Sequence, residues 1–127
     1  MESPLLNGAD PAMRVLVVDD TPTQRFLLAS LVSHCNCTVY TASSGPEALE
    51  LVAQVSPDVV LLDLSMPEMD GYELAVQLRN AGLNSAKLVA VSTWDCDMAK
   101  LTAAHIDQYL RKPLMLNNVK ELLRQAS

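Results

Sequence analysis

Pro57-Asp58-Val59-Val60-Leu61-Leu62-Asp63-Leu64-Ser65-Met66-Pro67-Glu68-Met69-Asp70-Gly71 is the stretch on which the fold turns. Val59 to Leu62 are apolar at consecutive positions, with no alternation. A strand of that kind is buried on both faces, as in a parallel sheet covered by helices on each side. The run stops at a carboxylate, Asp63. After a short loop, Asp70-Gly71-Tyr72-Glu73 offers an acidic N-cap with Glu at N3, so a helix is expected next.

The same grammar recurs outward from this segment. Val15-Leu16-Val17-Val18 and Leu88-Val89-Ala90-Val91 are two more buried runs, and weaker strands are expected around 38–41 and 108–112. Thr21-Pro22-Thr23-Gln24 places a hydroxyl at an N-cap, Pro at the first helical position and Gln at N3. Ser44-Gly45-Pro46-Glu47 repeats the logic, and Asp95 and Asn117 or Asn118 are candidate caps for two further helices. Helices are thus predicted over 22–35, 45–55, 71–81, 96–104 and 118–125. Five strands alternating with five helices make a doubly wound α/β sheet, with right-handed crossovers placing helices on both faces.

Composition narrows the class of function. At 127 residues the chain holds one domain, expected over 13–127, after a flexible lead-in at 1–12 marked by Pro4, Asn7, Gly8 and Pro11. Nine Lys and Arg against fifteen Asp and Glu give a net charge of −6, the wrong sign for a stand-alone nucleic-acid binder or an anionic membrane surface. Half of the residues are apolar, which argues against disorder. Cys35, Cys37 and Cys96 cannot all pair internally, and a Cys-x-Cys spacing without a second pair is no zinc site. The first dozen residues lack the basic start and apolar run of a signal peptide, and no stretch approaches the roughly 20 apolar residues of a membrane span. The expected setting is soluble and cytoplasmic.

In a doubly wound fold, chemistry gathers outside the carboxyl ends of the strands, at the switch point of strand order. The first run ends in Asp19-Asp20, the third in Asp63, the fourth in Ser92-Thr93 and the fifth in Arg111-Lys112-Pro113. Three clustered carboxylates repel one another and call for a cation. A hard divalent ion with oxygen ligands, Mg²⁺, suits a site that also handles phosphate. Lys112 adds a point charge for a phosphoryl oxygen and Ser92 a hydrogen bond, which together equip phosphoryl transfer to a carboxylate. Any one of these acids alone would more often be a helix cap. Their joint occurrence at four strand ends favours the chemical reading.

These segments resemble the receiver domain of two-component response regulators, across essentially all of residues 13–125. The matches are Val-Leu-Val-Val-Asp19-Asp20, the 57–71 segment, Ser92 in Leu-Val-Ala-Val-Ser-Thr, and Tyr109-Leu-Arg-Lys112-Pro113. The resemblance implies a flavodoxin-like sheet of strand order 2-1-3-4-5, with Asp63 as phosphoacceptor for a sensor histidine kinase or histidine phosphotransfer protein. It implies Mg²⁺ held by Asp20, Asp63 and the backbone carbonyl of Ser65, with Asp19 acting through water, and Lys112 on the phosphoryl group beside a cis Lys112-Pro113 bond. Ser92 and Tyr109 would form a switch that remodels the surface of the fourth helix, fifth strand and fifth helix. A downstream effector or output domain would read that surface, and it would also serve a homodimer. On this reading the chain is not an enzyme beyond autophosphatase activity. It touches no membrane and no nucleic acid directly.

Two departures qualify the match. Thr93 stands where the family usually has a small residue, commonly Ala, and His105 where Gly is frequent. Thr93 and the large Trp94 are read either as tuning the access of hydrolytic water to the site or, for Trp94, as a partner contact. His34 and His105 are isolated and read as surface or cap residues, and Met66 and Met69 as packing beside the acceptor loop. Two rival functions are kept. A degenerate receiver acting as a constitutive docking module is opposed by the full set of acceptor residues. An aspartate-nucleophile phosphohydrolase is opposed by Ser65, which stands where a general acid two residues past the nucleophile is needed.

Overall fold

In a computed structural model of the chain, residues 13–126 are described; the expected lead-in over 1–12 lies outside them. The elements run β1 (Arg14–Val18), α1 (Pro22–Ser33), β2 (Thr38–Ala42), α2 (Gly45–Val55), β3 (Val59–Asp63), α3 (Gly71–Asn80), β4 (Lys87–Ser92), α4 (Met98–Ala103), β5 (Gln108–Arg111) and α5 (Leu116–Ala126). All strand pairs are parallel and the order is β2-β1-β3-β4-β5, as expected of a flavodoxin-like sheet.

Period-2 side-chain alternation explains why the apolar runs have no polar face. Leu16, Val18, Val60, Leu62, Leu88 and Ala90 point to the side covered by α2, α3 and α4, where they meet Ala48, Val52, Leu74, Leu78 and Leu101. Val15, Val17, Val59, Leu61, Val89 and Val91 point the other way, against Leu28 and Val32 of α1 and Val119, Leu122 and Leu123 of α5. Each such side chain contributes about 1.5–3 kcal/mol on full burial. A polar residue at any of the twelve would therefore be costly. Cys35 is buried in the second cluster, and among the described residues all three cysteines are free thiols.

The helix starts differ from expectation in instructive ways. Ser44 and Asp70 cap α2 and α3 by accepting from the N–H of Glu47 and Glu73. Glu47 reaches back to the backbone and hydroxyl of Ser43, one residue before the expected Ser44. Thr21 occupies the N-cap position of α1 but makes no side-chain cap bond. Its N–H is instead held by Asp19 Oδ1 at 2.9 Å. The cap of α4 is Asp97, not Asp95, because Asp95 is drawn off by Arg111 at 2.8 Å. Asn118 Oδ1 accepts from the N–H of Met115, so it closes the turn that opens α5 rather than standing before the helix.

His105 ends the turn after α4 with φ 56°, in the left-handed region that favours glycine. Glycine, which the resemblance leads one to expect here, would adopt this conformation without strain. Arg79 of α3 pins the same turn, donating to the carbonyls of His105, Leu83 and Ala86 and to Asp107.

Candidate functional site

Register brings the acids together. Val18 pairs with Leu62, so the next residues, Asp19 and Asp63, emerge side by side from β1 and β3, the pair at which strand order reverses. Asp63 pairs with Val91, which puts Ser92 one step on in β4; Ser92 pairs with Arg111, which puts Lys112 one step beyond β5. A one-residue stagger from strand to strand thus delivers carboxylate, hydroxyl and ammonium to one edge.

Asp19 and Asp63 are buried and Asp20 half-buried, and one carboxylate oxygen from each lies within 4.8 Å of the others. Lys112 Nζ stands 2.9 Å from Asp19 Oδ2 and 3.6 Å from Asp63 Oδ1. Asp63 Oδ1 also accepts from the N–H of Ser65 at 3.2 Å, while Arg25 donates to the Asp19 carbonyl. The Asp63 carboxyl is raised to about 6, chiefly by burial, with Lys112 and the Ser65 N–H opposing the rise and Asp19 and Asp20 adding to it. An all-oxygen set of three carboxylates, one of them raised to about 6, is what a hard divalent cation would relieve, so the residues present fit Mg²⁺. The Lys112-Pro113 peptide is cis.

Gly71 fixes the height of the floor. A Cβ there would lie 2.5 Å from the Asp63 carbonyl oxygen and 2.8 Å from Leu64 Cα, so only glycine lets α3 start against the backbone at the end of β3. Met66 is buried in the core on the α2–α3–α4 side, and Met69 packs on the same core.

The expected switch residues form a second set, linked through the backbone of one residue, Trp94. Ser92 is buried, and its Oγ accepts from the N–H of Trp94 at 3.1 Å. The Trp94 carbonyl accepts from the Tyr109 hydroxyl at 2.5 Å. Tyr109 is half-buried against the α2–α3–α4 side of the core. Arg111 donates to the Thr93 carbonyl, and the Tyr72 hydroxyl accepts from Asp97 N–H, so the β4–α4 loop is tied to both β5 and α3. The Trp94 ring itself is 69% exposed. Thr93 faces the other way, lining a cavity of about 290 Å³ with Asp19, Lys112, Leu27, Leu31 and Leu114.

One neighbour was missed from sequence. Gln24, read above as part of a helix cap, takes a hydrogen bond from Lys112 Nζ. The available signal was its position. The first turn of α1 follows directly on Asp19-Asp20, so a long polar side chain there is within reach of the same strand edge. No helix of the described residues is long and apolar enough to cross a membrane.

Comparison with known proteins agrees with this geometry. The chain is 34% identical over 104 residues to protein PilG of Pseudomonas aeruginosa, covering 80% of this chain and 77% of that protein. It is 34% identical over 112 residues to the sensor histidine kinase RcsC of Escherichia coli K12, covering 87% of this chain but only 12% of the kinase. Its fold superimposes on the chemotaxis protein CheY4 of Vibrio cholerae with a TM-score of 0.86 at 24% identity, over 91% of this chain and 99% of that one. Residues 15–124 match the response regulator receiver domain, and the chain belongs to that family, a module of two-component systems.

Proposed function

We propose that this chain is a phosphoacceptor signalling module in which Asp63 receives a phosphoryl group from a phosphohistidine on a sensor histidine kinase or histidine phosphotransfer protein. A carboxylate oxygen of Asp63 attacks phosphorus, and the P–N bond breaks as the P–O bond forms. The imidazole nitrogen leaves with the electron pair and is protonated from solvent. The observation that carries this reading is a buried carboxylate at the end of β3 with an ammonium 3.6 Å away and two further carboxylates within 4.8 Å.

Asp20, Asp63 and the Ser65 backbone carbonyl would hold Mg²⁺, with Asp19 reaching it through water. When bound, the ion would offset carboxylate charge so that an anionic phosphoryl donor can approach. Lys112 receives a phosphoryl oxygen once Asp63 is modified. The added group brings about −1.5 to −2 charge and three acceptor oxygens. Ser92 can reach one of them only by releasing the Trp94 N–H. Packed interiors tolerate few voids, so the Tyr109 ring fills the space that Ser92 leaves. The α4–β5–α5 surface changes as a result, and an effector, an output domain or a second copy reads the change. Thr93 and Trp94 flank the approach of hydrolytic water and set how long the aspartyl phosphate lasts. Turnover stops at autophosphatase activity, because Ser65 provides no general acid two residues past the nucleophile.

Incubation with acetyl phosphate and Mg²⁺, followed by intact-mass and peptide analysis, tests the proposal. The expected result is a gain of one phosphoryl group on Asp63 that requires Mg²⁺ and disappears in Asp63→Asn. No gain, with an unchanged spectrum in beryllofluoride, would leave a docking module in its place. Steady hydrolysis of varied phosphoesters would replace it with an enzyme.

A further inference from the structure

Lys112 has three N–H donors and no acceptor. Asp19 Oδ2 takes one at 2.9 Å and Gln24 Oε1 takes a second, whereas Asp63 Oδ1 stands at 3.6 Å, within ion-pair range and outside a hydrogen bond. The attraction of a carboxylate would otherwise draw a flexible lysine onto Asp63. Two other acceptors, one at the end of β1 and one on the first turn of α1, hold it short. Gln24 has no comparable role in the helix start: the Thr21 side chain makes no cap bond, and the carboxamide oxygen of Gln24 is given to the ammonium.

Resting on the phosphoacceptor reading above, we propose that Gln24 is a positioning residue that keeps the Lys112 ammonium at a standoff from Asp63. The standoff leaves the attacking carboxylate oxygen unencumbered and reserves the third N–H of Lys112 for the incoming phosphoryl group. Without the Gln24 oxygen, Lys112 closes on Asp63. The carboxylate, now hydrogen-bonded to the ammonium, is a poorer nucleophile, and an entering phosphoryl oxygen must displace it from Lys112 first. One net hydrogen bond on an exposed side chain corresponds to roughly three- to tenfold in an equilibrium or rate.

Gln24→Met removes the acceptor while keeping length and helix preference. Two measurements test the idea on the full chain with Mg²⁺. The first is the affinity for beryllofluoride, followed by fluorescence of Trp94, the one tryptophan, whose backbone N–H and carbonyl are bonded to Ser92 and Tyr109. Phosphorylation by acetyl phosphate is timed alongside it. Both are expected to fall roughly three- to tenfold in Gln24→Met with an unchanged melting temperature. The second is the Lys112 Nζ to Asp63 Oδ1 separation in crystals of wild type and Gln24→Met grown alike, expected to close in the variant from 3.6 Å to hydrogen-bond range; a mere cap residue would not move it. Equal or tighter beryllofluoride binding in Gln24→Met, or an unchanged Lys112–Asp63 separation, overturns the inference while wild-type binding still supports the acceptor. A wild-type chain that takes up no beryllofluoride overturns the phosphoacceptor reading, and this inference falls with it.

Discussion

Replacing Asp63 by Asn should stabilise the metal-free protein, by an amount that depends on pH in a calculable way. The Asp63 carboxyl is raised from 3.8 to about 6, chiefly by burial. Its side chain is only 8% exposed, so the shift translates into folding energy without a large solvent discount. At 1.36 kcal/mol per tenfold change in proton affinity, holding this carboxylate charged costs the folded state about 3 kcal/mol. The folded protein binds the Asp63 proton more tightly than the unfolded chain does. The penalty is therefore absent below about pH 3.8, grows between there and about pH 6, and is complete above it. Asn keeps an oxygen for the Ser65 N–H, and Lys112 keeps Asp19 and Gln24. Urea unfolding in EDTA should then show Asp63→Asn more stable than wild type by about 1–3 kcal/mol at pH 7.5, with the gap shrinking to about 1 kcal/mol or less at pH 4.5. Adding Mg²⁺ should narrow the gap at pH 7.5, because it binds the charged form and stabilises wild type by about 1.4 kcal/mol at tenfold its dissociation constant. A gap that is absent at pH 7.5, or equal at both pH values, would refute the attribution of strain to this one carboxylate.

Four further outcomes follow from particular contacts. Gly71→Ala should destabilise by about 2 kcal/mol or more and slow phosphorylation, because its Cβ would meet backbone 2.5 Å away. Gly45→Ala should cost under about 1 kcal/mol, since it meets only the flexible Met69 side chain; paired urea melts decide between them. Arg79→Ala should cost about 2–4 kcal/mol by the same measurement, because it strips partners from the Leu83, Ala86 and His105 carbonyls and from Asp107 together. Trp94→Ala should shorten the half-life of the phosphorylated form severalfold if its ring limits the entry of water. An unchanged half-life would leave Trp94, 69% exposed, as a partner contact.

Much of the fold was legible because its signals are local. An apolar run with no alternation reports burial on both faces, and the caps at Ser44 and Asp70 need only residues three positions apart. The caps that failed did so through competition from distant residues. Asp95 would suit the start of α4, but Arg111 on β5 claims it, and Asp97 caps instead. Thr21 has the right chemistry, but the carboxylate of Asp19 holds its N–H. The candidate site divides the same way: Asp19, Asp20, Asp63 and Lys112 were visible as polar residues where apolar runs stop. Gln24 was not, since its partner lies 88 positions away.

By itself, then, the sequence determined which residues are buried, where helices begin, and that carboxylates, a hydroxyl and a lysine terminate successive strands, because each of these depends on near neighbours along the chain. The tertiary structure alone decided how those groups share one another. Parallel register sets Lys112 on Asp19 and Gln24 rather than on Asp63, ties Ser92 and Tyr109 to the backbone of Trp94, and lets only glycine stand at position 71. Hydrogen bonds and ion pairs act over a few ångströms, and it is the packing of α1 and β5 against β1 and β3 that chooses which groups come within that range.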